Sequence, residues 1–249
     1  MQSDIFNTSF QIYFEDMRVV VPIITGLIGF IIFWFTHKSR KVKTYFLKKY
    51  GHDNGYALFV ITTKCLGALS LGLFPILVYL LFFPETSLAE LGLTFYFSTA
   101  TLTVIWILGL AIVLIPLVYI SAKKAANLKN YPQIRASVWT KKILLGNLSC
   151  WAIYLLGYEL YFRGVLLFPL IDSIGLWPAI AINIGLYSAT HVPKGLSETI
   201  GAIPFAIVLC LLTVMTGTIW IAFFVHLTIA WTNSIVALKN NPDMKLELS

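Results

Sequence analysis

The chain has 249 residues, of which 58% are hydrophobic and only 12% charged, where an ordinary soluble domain carries about 25% charged. A mean hydropathy of +0.82 leaves more apolar surface than a globule of this size can enclose, which excludes soluble, disordered and fibrous classes. Lys and Arg number 18 against 11 Asp and Glu, a net charge of +7, and the position of that excess argues against a nucleic-acid partner. Six basic residues fall between Lys38 and Lys49 and six more between Lys123 and Lys142, in short connections between apolar runs. That is the charge bias of cytoplasmic loops in a membrane protein.

A bilayer-spanning helix needs about 20 mostly apolar residues. In chain order, the first predicted span runs from about Val19 to Thr36, behind a segment holding Asp4, Glu15 and Asp16. An acidic leader and a late apolar run argue against a cleaved signal peptide. The second runs from about Tyr56 to Phe83, with Lys64 close enough to its basic end to snorkel toward the interface. The third covers about Phe95 to Ile120, and Pro116 predicts a kink there. After the second basic loop come Ile143 to Leu170, Pro178 to Thr190, Ile200 to Thr216 and Thr218 to Leu238. Seven spans, or eight if a long run splits, give one all-α polytopic helical bundle of residues 1–249. Its N-terminal spans cover about 19–121 and its polar-motif region about 143–238. The N-terminus is expected outside and the Lys239-bearing tail inside. Cys65, Cys150 and Cys210 lie far apart in apolar stretches and read as packed thiols.

Ionisable groups inside apolar runs carry the information, because a mid-bilayer charge costs at least ~2.5–3.5 kcal/mol on insertion scales. They gather in the final third. In Gly157-Tyr158-Glu159-Leu160-Tyr161-Phe162-Arg163-Gly164, Glu159 and Arg163 stand four apart on one helix face, a spacing that lets carboxylate and guanidinium meet. His191 follows Tyr187 by one turn, and His226 lies in the last apolar run. One carboxylate and two imidazoles suffice either to bind a metal or to activate a water. Pro193 and Gly195 are expected to break the helix just after His191. Lys194 and Glu198 read as surface charges of that connection.

These residues together resemble the CPBP intramembrane protease family, also called the Abi or CAAX-protease family. Its pattern is Glu-Glu-x-x-x-Arg, then Phe-x-x-x-His, then His-x-x-x-Asn on successive helices. Here the corresponding positions read Tyr158-Glu159-x-x-x-Arg163, Tyr187-x-x-x-His191 and His226-x-x-x-Ala230. The resemblance covers roughly Ile143 to Val236. Two positions depart: Tyr158 stands for the family's first Glu and Ala230 for its Asn, with Thr232 and Asn233 close behind. Asn233 is two turns from His226 and so near its face.

The resemblance implies peptide-bond hydrolysis in a membrane cavity, with a membrane-associated protein or peptide as substrate. Glu159 would be the base, Arg163 would hold it, and His191 and His226 would position water. Tyr158, Asn233 or Thr232 would serve the oxyanion. A Zn2+ ion on Glu159, His191 and His226 is the metal alternative. The family's many bacterial members point to a bacterial cell membrane as the location. The departures at 158 and 230 leave open a pseudoprotease that binds partners without cutting them. A proton-coupled transporter is the third alternative, weakened by the lack of an internal repeat.

Overall fold

The computed structural model describes residues 2–247. Helix α1 (Gln2–Lys38) ends where the apolar run gives way to His37 and Lys38. The Ser39 hydroxyl then accepts from the Val42 amide at 3.3 Å and starts α2 (Arg40–Tyr50), a basic helix without buried residues. Gly51, at φ +76°, turns the chain into α3 (His52–Ala68), which continues through a π-helical stretch, Leu69–Leu73, into α4 (Phe74–Phe82). Helix α5 (Phe97–Ala122) runs unbroken through Pro116. It is almost wholly exposed, with only 6% of its apolar window buried, as befits a helix whose solvent is lipid. After the short α6 (Ala125–Leu128) and strand β1 (Val138–Thr140), the Thr140 hydroxyl caps α7 (Lys141–Glu159). A second π-helical stretch, Leu160–Val165, joins α7 to α8 (Leu167–Ile174). Then follow α9 (Leu176–Ala189), α10 (Leu196–Thr216), α11 (Trp220–Asn240) and β2 (Lys245–Glu247).

Cross-chain bonds define two ends of the bundle. At one end Arg18 pairs with Glu85 at 2.7 Å, and the Ile219 amide donates to the Gly92 carbonyl at 3.1 Å. At the other, β1 and β2 pair in parallel, Val138 opposite Lys245, so the tail lies beside the second basic loop. Between these ends the chain runs back and forth through α1, α3–α4, α5, α7–α8, α9, α10 and α11, where the sequence predicted seven spans. Among the described residues, however, only six segments are long and apolar enough to cross a membrane. The exception is the expected fifth span. With 14 residues, α9 is about 21 Å long, against a hydrocarbon core of about 30 Å.

Backbones touch where glycines face each other. A Cβ on Gly72 would lie 2.5 Å from Gly157 Cα, and one on Gly157 would lie 2.8 Å from Ala68 Cα. The first π-helical stretch therefore packs directly against the end of α7, as small residues permit between membrane helices. That contact sets the depth of the residues just after Gly157.

Candidate active site

The second π-helical stretch begins at the residue after Glu159. Its hallmark is the five-residue bond from the Leu166 amide to the Tyr161 carbonyl, 2.8 Å. Such local widenings concentrate at functional sites because they redirect side chains within a helix. Here the stretch is tied to α9 by the fully buried Asn183, whose amide donates to the Phe162 carbonyl at 2.5 Å and accepts from Cys210.

Glu159 is 0% exposed. One carboxylate oxygen accepts from His226 Nδ1 at 2.6 Å, and the other lies 3.4 Å from Arg163 Nε. The Arg163 guanidinium also covers the Tyr187 ring at 4.6 Å. Glu159 is thus sealed behind His226, whose side chain is 15% exposed and reaches a cavity. Because Nδ1 of His226 gives its hydrogen to the carboxylate, its Nε2 is left with a free lone pair.

His191 sits past the end of α9, where the Val192–Lys194 turn and Gly195 (φ +110°) break the helix as the sequence implied. Its Nδ1 lies 3.0 Å from the Tyr187 carbonyl, which can only accept, so here too the hydrogen is on Nδ1 and Nε2 is free. Burial, reinforced by the Lys194 ammonium, lowers this ring to about 3, so it is neutral at physiological pH. The Thr190 hydroxyl donates to the Tyr187 carbonyl at 2.7 Å and accepts from the Tyr158 hydroxyl at 2.9 Å. Tyr158, Thr190, His191 and His226 all line one cavity of about 280 Å3. Its walls include Phe33, Trp151 and Tyr154, and its mouth carries Lys38, Lys129, Arg135 and Lys194 at the basic end of the bundle.

The structure brings Tyr158, Glu159, Arg163, His191 and His226 together and leaves Asn233 apart. Asn233 accepts from Asn127 at 2.9 Å, tying α11 to the α6 segment. Ala230 packs in an apolar cluster with Trp151, Leu155 and Leu227. A zinc triad does not fit: among the described residues no three His, Cys, Asp or Glu side chains could hold a metal ion. Both Glu159 oxygens are engaged, by His226 and Arg163, so the carboxylate is not free to join the histidines as a ligand. Sequence reasoning missed liners such as Thr190 and Lys64. Thr190 is a common residue without a motif. Lys64, expected to snorkel, is 2% exposed and points into the cavity instead.

The family described as type II CAAX prenyl endopeptidase Rce1-like matches the chain over residues 140–232. No curated protein and no solved structure matches it. The matched segment runs from the cap of α7 into α11 and so holds the whole Tyr158–His226 constellation. This match, with the all-helical membrane bundle around it, supports the likeness of residues 140–232 to the CAAX-protease (CPBP) family.

Proposed function

We propose that the chain is a membrane-embedded endopeptidase in which His226, oriented by Glu159, takes a proton from a cavity water. The single observation that carries this reading is the 2.6 Å contact between His226 Nδ1 and Glu159. A buried carboxylate fixes the tautomer of an imidazole and stabilises the imidazolium that forms, leaving the outer nitrogen as base. The base thus moves from the expected Glu159, sealed from water, to the histidine in front of it. Water loses its proton to His226 Nε2 as its oxygen bonds to the scissile carbonyl carbon. The tetrahedral oxyanion then collapses, the C–N bond breaks, and the same proton passes to the leaving amine. His191 Nε2 accepts the other hydrogen of that water and holds it in place. The Tyr158 hydroxyl fixes Thr190 at the cavity floor. The substrate is a membrane-associated protein or peptide entering from the basic end, which by loop charge is the cytoplasmic face.

The test is cleavage of a membrane-tethered reporter peptide by purified protein in liposomes. H226A and H191A each lower the rate by about 10²-fold or more while folded yield holds. Unchanged rates in both variants reject the reading.

A pseudoprotease is the second reading, favoured by the tyrosine hydroxyl at 158 engaged with Thr190 and by the apolar seat of Ala230. New cleavage by the Y158E/A230N double variant alone supports it. Cleavage by the unaltered chain excludes it.

A further inference from the structure

Among the basic residues that line the cavity, Lys64 is the fully buried one, and the proposed reaction does not use it. Lys64 projects from α3, and its ammonium rests 3.0 Å from the centroid of the Trp151 ring and 4.7 Å from that of Tyr154. Among the described residues no carboxylate comes within ion-pair distance of it, and no Asp or Glu lines the cavity. Aromatic faces hold a cation less strongly than the water it has left. The difference favours an anion arriving with the ligand. Lys38, Lys129 and Lys194 at the mouth extend the same positive potential outward, which draws anions in.

Trp151 precedes Tyr158 by seven residues on α7, about 10 Å along the axis. The ammonium contacts the Trp151 and Tyr154 rings rather than the histidines, so it acts in binding rather than in bond breaking. We propose that Lys64 is the anion-recognition residue of this cavity and receives a carboxylate of the bound peptide. That the ligand is a peptide rests on the endopeptidase reading; the anion site rests on Lys64 and its setting.

Calorimetric titration of the full chain in neutral detergent tests this with three peptides of one sequence. One ends in a free carboxylate, one in a carboxamide, and one in a carboxamide with an internal Gln replaced by Glu. One or both carboxylate-bearing peptides bind at least tenfold tighter than the neutral one, and the better of the two shows which carboxylate is used. K64M removes the preference without weakening the neutral peptide, and K64R restores it in part. Equal binding of all three to the unaltered chain overturns the proposal. So does an equal loss for charged and neutral peptides in a folded K64M. If K64M fails to fold, the three titrations on the unaltered chain still decide. A preference for vesicles containing phosphatidylglycerol, without one for peptide carboxylate, assigns the site to lipid phosphate and rejects the peptide. Carboxylate-dependent binding without cleavage removes the endopeptidase reading and keeps the anion site. Cleavage indifferent to carboxylate does the reverse.

Discussion

At the scale of single residues, the site is a small arrangement of hydrogen-bond obligations. Tyr187 is its organiser: its carbonyl receives both Thr190 and His191, and its ring lies under Arg163. Glu159 faces inward onto His226, so in the proposed reaction its value lies in orientation and charge. E159Q preserves the shape of the contact but removes the anion that stabilises an imidazolium. Reporter cleavage by E159Q is expected to fall by about 10²-fold with substrate affinity unchanged, because Glu159 does not line the cavity. Affinity lost in step with rate would place Glu159 at the ligand instead. The sequence exposed these residues because charge and imidazole are rare in apolar runs. It could not expose Lys64, since a lysine near a helix end looks the same whether its tip turns out to water or inward onto two aromatic rings. Asn233 misled for a related reason: helical periodicity places it on the His226 face, but two turns, about 10 Å, further along the axis, where it accepts from Asn127.

At the scale of helices, the defining contact is backbone on backbone between the Leu69–Leu73 stretch and α7 at Gly72 and Gly157. A β-branched side chain there meets main-chain atoms, which cannot rotate aside. G157V is expected to cost at least ~1–3 kcal/mol through overpacking, read as earlier thermal unfolding in detergent, and to shift Glu159, two residues on, enough to lose cleavage. A melting temperature equal to that of the unaltered chain would show that the two backbones do not meet. Apolar length was enough to read the long helices from the sequence. The π-helical stretches were not legible, because they arise from how neighbours, such as Asn183 on the Phe162 carbonyl, satisfy a widened turn. The span expected at Pro178 to Thr190 was apolar enough but two turns short.

At the scale of the whole molecule, the β1–β2 pairing puts the tail beside the second basic loop, and the cavity mouth opens at that end. Single cysteines introduced at Lys48, Lys129 and Asp243 should all react with an impermeant maleimide from one side of a sealed vesicle, and one at Glu90 only from the other. Labelling of Asp243 with Glu90 would break the seven-crossing path. Within that path α9 is the odd member, with only 14 residues. The shortfall of roughly 9 Å against the hydrocarbon slab has to be met by the surrounding lipid. Acyl chains next to α9 must dimple inward, since stretching a helix is far harder than compressing fluid tails. His191, just past the end of α9, therefore lies beside the thinned lipid. Fatty-acid chain length thus becomes a variable of the site itself: short-tailed lipids relieve the hydrophobic mismatch, and long-tailed ones press on the rim of the cavity.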